Sequence, residues 1–241
     1  YRLINVLEKG RLTNSEMNRL NYTANASVVY HKVFAGKHSL NGQVHAEVFN
    51  SNANSAGFIA VGFPTFSTGA ARYAYGYLEN SRPQSSAIVE RRNSLISTFN
   101  YSFDNKYNAD FTFSYDGSTA FGVDNLYSPF FSGGLSWNLH KEQFFNDFAP
   151  AINLLRLRGN YGRTGNQNFT SYTSITTYDY ESGYNFWGQG VNVSSLGNKK
   201  LKWQNTETIS LGLDFAAWNS RLSGYVNAYR KFTDPLVVAV A

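Results

Sequence analysis

The sequence predicts an all-β chain, an antiparallel transmembrane β-barrel segment that crosses a bilayer with its strands. Three observations carry that reading. Stretches of about nine to eleven residues alternate between apolar and polar side chains, the length a tilted strand needs to span a bilayer. Aromatic residues are 17% of the 241 residues, and they gather at the ends of the apolar faces, as in the girdles of membrane barrels. The connections run alternately short and long. A soluble β-sandwich or lipocalin-like barrel also alternates, but its strands should be shorter and its apolar face less aromatic.

The candidate strands follow in order. Residues 1–7 form a possible first strand, and residues 22–30 a weakly alternating one. Residues 39–48 alternate without a break: Leu40, Gly42, Val44, Ala46 and Val48 share one face, and the residues between them are polar. Residues 95–103 are weaker. Tyr107, Ala109, Phe111, Phe113 and Tyr115 alternate with Asn108, Asp110, Thr112, Ser114 and Asp116. Phe131, Gly133, Leu135, Trp137 and Leu139 make the next apolar face; Leu155, Leu157, Gly159 and Tyr161 follow, against Arg156, Arg158 and Asn160. Ile209, Leu211, Leu213 and Phe215 alternate with Ser210, Gly212 and Asp214, and residues 222–229 close the series. Eight or nine strands result.

Short turns are expected at Ala35-Gly36-Lys37, at Asp104-Asn105-Lys106, where Asp and Asn suit a turn, and at residues 216–220. Residues 140–152 are compact, with one helical turn through Gln143, Phe144 and Phe145. Long loops are expected at about 50–93, 117–128 and 164–206. Outer-membrane barrels sort short turns to the periplasm and long loops to the outside, which a sandwich has no reason to do. Neither end looks like a barrel terminus: the first strand has no upstream partner, and the chain trails off after Asp234-Pro235. Residues 1–241 are therefore expected to be an internal part of one larger barrel domain.

Composition excludes other classes. With no Cys there is no disulfide framework, thiolate metal site or cysteine nucleophile. No stretch approaches ~18 apolar residues, so a transmembrane helix is excluded. The net charge is +5, but no run of Lys or Arg exceeds two residues, so nucleic acid is not an expected partner. His31, His38, His45 and His140 lack metal-ligand spacing, no Ser sits in a nucleophile elbow, and neither a catalytic set nor a cofactor site is expected.

Two groups of residues are candidates for function. Charges on the lipid face of a barrel are costly, so Asn108, Asp110, Thr112, Ser114, Asp116, Arg156, Arg158 and Asn160 are expected to face the lumen. Aromatics in the long loops, Tyr73, Tyr75, Tyr77, Tyr178, Tyr180, Tyr184 and Trp187, are candidates for stacking on a ligand or packing on a protein partner.

Specific motifs add a family resemblance. The run from Asn93 to Gly122, NSLISTFNYSFDNKYNADFTFSYDGSTAFG, resembles the barrel signature of SusC/RagA-type TonB-dependent transporters of Bacteroidetes. FFSGGLSWNLHKEQFF, LLRLRGNYGRTGNQNF, LGNKKLKWQNTETISLGLDF and LSGYVNAYRKFTDPLV are similar to later elements of that family and follow in its order. The resemblance implies a 22-stranded barrel with a plugged lumen, of which this chain supplies eight or nine strands. It implies import of oligosaccharides or peptides across the outer membrane of a Gram-negative bacterium, with a SusD-like surface lipoprotein as lid and the TonB complex as energy source. The family's N-terminal domain, TonB box, plug and final strands have no counterpart in this sequence. A non-transporting barrel, an adhesin or porin-like protein, is the alternative.

Overall fold

A computed structural model describes residues 9–78, 81–166 and 172–234; the candidate strand at residues 1–7 and the tail at 236–241 lie outside the described residues. The chain forms β1 (Arg11–Phe34), β2 (His38–Val61), β3 (Gly76–Tyr77), β4 (Gln84–Phe103), β5 (Tyr107–Ser118), β6 (Tyr127–Asn138), α1 (Gln143–Phe148), β7 (Ile152–Asn166), β8 (Thr177–Asn185), β9 (Gly188–Ser195), β10 (Gln204–Ala217) and β11 (Leu222–Asp234). One sheet has the order β1-β2-β4-β5-β6-β7-β10-β11, with β3 added to β2, and β8 and β9 pair as a separate hairpin. β1 and β11 are its two edges; they do not pair with each other to close an eight-stranded cylinder.

Every candidate strand within the described residues is present, but several are longer than their alternation indicated. β1 and β2 each have 24 residues and β4 has 20. The additions, such as RLTNSEMNRL in β1 and SNANSA in β2, are mostly polar with their few apolar residues out of alternation, so they carry no clear period-two signal although the hydrogen-bond ladder continues. The long connections shrink accordingly, to residues 62–83, 119–126 and 167–203, and the last contains the β8–β9 hairpin, which the alternation did not reveal.

The chain divides into two units: Tyr1–Tyr22, Asn50–Glu90 and Thr176–Leu196 form the first, and Thr23–Phe49, Arg91–Ile175 and Gly197–Ala241 the second. In the first, Ala53, Ala60 and Val61 are buried, the Phe58 ring meets Tyr77 edge-on at 5.9 Å, and the amides of Gly62 and Phe63 bond to the carbonyls of Gly10 and Lys9.

The second unit carries the alternating strands, and its register aligns their faces. Ala109, Leu135, Gly159, Leu211 and Ala228 lie opposite one another across five strands, as do Phe111, Gly133, Tyr161 and Ile209 across four. This apolar face is bare: Leu135 is 69% exposed and Leu211 63%. Aromatic rows bound it. At the short-turn end, rings run from Phe34 through His38, Phe103 and Tyr107 to Trp137, at 4.8 to 6.4 Å between neighbours. At the other end Tyr115 stacks on Tyr127 at 5.4 Å. Tyr127 and Trp137 are ten positions apart on β6. At ~3.3 Å per residue and a tilt of ~40° that separation is about 25 Å, the height of a barrel's apolar band.

The same unit encloses a small core at its long-connection end. Phe121, only 1% exposed, stacks on Trp203 at 3.9 Å, Phe130 meets that indole edge-on at 5.4 Å, and Leu201 and Ala120 are buried beside them. The Trp203 indole N–H donates to the Asn125 carbonyl, and the Gly122 amide to that of Leu201. A Cβ on Gly122 would run into the Lys199 carbonyl, so only glycine lets these two connections close.

The short turns are built from left-handed backbone. Asp104 and Asn105 have φ of 53° and 52°, as a type I′ turn requires, and the Lys106 amide bonds to Phe103 O. The β10–β11 turn places Trp218, Asn219 and Ser220 at φ 53°, 55° and 63° in succession. Such backbone costs an L-residue roughly 1–2 kcal/mol, and least for Asn. Ser220→Gly is therefore expected to stabilise the chain by about 0.5–1 kcal/mol after glycine's extra chain entropy is counted, read as a higher urea midpoint.

Between β6 and β7 the helix α1 stops at Ala149, before Pro150, whose ring disfavours helical backbone in the preceding residue. Just ahead of it, Glu142 collects three donors: Tyr107 Oη at 2.6 Å and Trp137 Nε1 at 3.1 Å on one oxygen, and Lys106 Nζ at 3.2 Å on the other. These bonds, that from Tyr107 foremost, hold its carboxyl below the ordinary value of 4.5. A depressed carboxylate contributes stability that is present above the unfolded-state pKa and is lost as pH falls through the folded-state one. Thermal unfolding followed from about pH 6 to about pH 3 should show Glu142→Gln losing less stability than the parent below about pH 4.5.

Candidate functional site

The polar face of the second unit is assembled by register. Asn108, Ser136, Arg158 and Gly212 stand in one row, and Asp110, Gly134, Asn160 and Ser210 in the next. All eight residues expected at the lumen share this face. Asn108 donates to Ser136 at 3.2 Å, the hydroxyls of Thr112 and Thr98 lie 3.5 Å apart, and Ser114 donates to Asp116 at 2.9 Å. Gly134 leaves the space into which Asp110 and Asn160 both lean; a Cβ there would collide with their side-chain oxygens.

Asp214 is the centre of this wall. Arg156 approaches one of its oxygens through Nε at 2.8 Å and a terminal nitrogen at 2.7 Å. Arg158 binds the other at 2.8 Å and also reaches Asn227 at 3.1 Å. Two guanidiniums share one largely shielded carboxylate, so the cluster carries net positive charge. Asp214 and Asn227 were not among the expected site residues, although the alternation of residues 209–215 already put Asp214 on the polar face.

The loop aromatics fall in the first unit, and among the described side chains two of them line a common cavity. Tyr178 and Tyr180 line a space of about 780 Å³ with Ser15, Ser55, Arg82, Gln84, Ser86 and Asp179. Arg82 donates to the Tyr180 carbonyl at 2.7 Å and so ties β8 to the segment before β4, while Ser55 and Ser86 share a 2.7 Å hydrogen bond across the wall. The lining is mostly hydroxyl and amide, with one guanidinium and one carboxylate: a surface for polar ligands rather than a catalytic constellation.

Tyr73, Tyr75, Tyr77 and Trp187 do not line it. Tyr73 ends a 3-10 turn, with the Arg72 guanidinium 4.8 Å above its ring. The Tyr75 amide bonds to the end of β2, and Tyr77 pairs with Ala60. Tyr184 lies opposite Gln189 in the β8–β9 ladder; its side chain is outside the described residues. Trp187 sits at the hairpin tip, 89% exposed, edge-to-face with Phe186, which is 92% exposed. Below that tip Tyr178 pairs with Val193 and Tyr180 with Val191, so the hairpin has an exposed apolar side; Asp179 pairs with Asn192 on its polar side.

A bare apolar face between aromatic rows, backed by a charged and hydrogen-bonded one, defines a segment of a transmembrane antiparallel β-barrel. Its sequence is similar to those of TonB-dependent receptors. The chain is 35% identical over 158 residues to the TonB-dependent receptor SusC of Bacteroides thetaiotaomicron, a match covering 62% of this chain and 16% of that protein. It is 30% identical over 237 residues to the TonB-dependent receptor P3 of Formosa agariphila, covering 95% of this chain and 23% of the relative. The solved RagAB peptide transporter has the same fold over 95% of this chain and 25% of its own, with a TM-score of 0.86 at 24% identity. The chain thus spans a quarter or less of each of these proteins. No family model matches it.

Proposed function

We propose that this chain is part of the wall of a TonB-dependent importer in the outer membrane of a Gram-negative bacterium. Residues 1–241 belong to a single barrel domain in this reading, and the edges β1 and β11 pair with further strands, since an open edge in lipid leaves backbone groups unsatisfied. The apolar face meets lipid and the polar face, with Asp214 and its arginines, lines the lumen. The long connections lie outside and the short turns in the periplasm. The observation that carries the proposal is the sequence likeness to TonB-dependent receptors along a chain whose two faces are so sharply divided.

The cargo is an oligosaccharide or a peptide, which the hydroxyl- and amide-lined cavity suits. A SusD-like surface lipoprotein acts as lid, for which the apolar side and tip of the β8–β9 hairpin offer a surface, and the TonB complex supplies energy. Replacing Tyr180, Tyr184 and Trp187 together with Ala tests this. The expected result is weaker lid retention or uptake with unchanged barrel assembly, because no long strand is altered. Normal uptake and normal lid retention would reduce these aromatics to local packing.

A further inference from the structure

The lipid-facing wall carries a feature that transport does not require. On the apolar face, small residues interrupt the large ones in a zigzag over two adjacent rows: Ala109 and Gly159 in one, Gly133 in the next. The result is a shallow furrow of two adjoining hollows, about 480 and 310 Å³, both bordered by Leu135 and Leu211. Apolar walls and a backbone floor fit a flexible hydrocarbon chain.

Charges stand at one end of this furrow. Arg163 lies directly opposite Glu207, and Arg230 opposite Ile209, so all three charged residues share the face of Tyr161 and Ile209. Arg163 is eleven positions beyond the start of β7, Glu207 ten from the end of β10, and Arg230 eight beyond the start of β11. At ~3.3 Å per residue and ~40° of tilt they stand about 20 to 28 Å from the short-turn end. That is the level of the far interface, where a charge on the lipid side is tolerated. Among the described residues no ion pair holds any of the three, and the Arg163 Nε–H is buried without an acceptor. Glu207 offsets one guanidinium and leaves the other in excess. A phosphate diester at that level would supply the missing negative charge to the guanidiniums, with its tails directed along the apolar wall.

We propose that Arg163 and Arg230 bind the headgroup phosphate of an anionic membrane lipid whose acyl chain lies in the furrow floored by Gly133 and Gly159. The inference rests on the membrane-barrel reading but not on import. The protein is reconstituted in vesicles of equal phosphatidylglycerol and phosphatidylcholine, and the lipids it retains in mild detergent are counted by native mass spectrometry. Retained phosphatidylglycerol is expected to exceed phosphatidylcholine several-fold. Arg163→Gln with Arg230→Gln should bring that ratio back to the vesicle's own, Glu207→Gln should raise it, and Gly159→Leu should lower retention of both lipids. A parent ratio equal to that of the vesicle, or an unchanged ratio in the double variant, overturns the proposal. If the double variant does not insert, Glu207→Gln decides: a rise supports the site, and no change or a fall overturns it. Failure of the parent to insert in either lipid would count instead against the membrane-barrel reading.

Discussion

Phe121→Ala is expected to destabilise the second unit by about 3–5 kcal/mol, the usual cost of removing a fully buried ring from a core that cannot collapse around the gap. Phe121 has almost no solvent access, and the Trp203 indole stacked on it is itself fixed by a hydrogen bond to Asn125. The indole therefore cannot swing into the space without giving up its acceptor. Limited proteolysis should show the connections at residues 119–126 and 196–203 becoming accessible together, since this stack joins them. Phe66→Ala is the control: that ring is fully exposed at a turn, and its loss should change stability by no more than about 0.5 kcal/mol. Equal effects of the two substitutions would show that the stack is not a core.

The second large effect is expected at Asp214. Asp214→Asn keeps the shape but removes the charge that two guanidiniums share, leaving Arg156 and Arg158 facing each other on the wall. Breaking a shielded pair in this way costs on the order of 3 kcal/mol, and the partial exposure of Arg156 puts this case at the lower end of the range. Arg156→Gln should cost less, because Arg158 still neutralises the carboxylate. Urea unfolding of both variants in lipid vesicles checks the order; a larger loss for Arg156→Gln would contradict the shared-carboxylate account.

Period two was legible wherever one face was apolar, so the paired faces of β5, β6, β7 and β10 could be read residue by residue. It failed where both sides are mostly polar in sequence, as in the first half of β1 and in residues 51–56 of β2, where Asn and Ser offer little contrast between sides. It failed again at β8–β9, whose apolar members Tyr178, Tyr180, Val191 and Val193 are few and are broken by a register shift between Tyr180 and Tyr184. The polar wall was legible by face but not by partner: alternation put Arg156 and Arg158 on one side of β7, yet which carboxylate they meet depends on the pairing of β7 with β10 across an intervening hairpin. The Phe121–Trp203 stack had no local signal at all, because its members lie about 80 positions apart (ring contacts of that span leave no periodic trace).

That β7–β10 pairing also sets an order of assembly. β4 with β5 and β10 with β11 are joined by tight turns, so each pair can zip from its turn at little entropic cost. Asn166 and Gln204, by contrast, are neighbours only after 37 intervening residues have been gathered in. Contacts of such sequence separation form late, because the closure entropy is spent before any ladder bond repays it. The seam between Asn166 and Gln204 is thus where two preformed blocks, β4 to β7 and β10 with β11, meet last, and a nascent chain halted before that step would present the β7 edge, Arg163 included, unpaired.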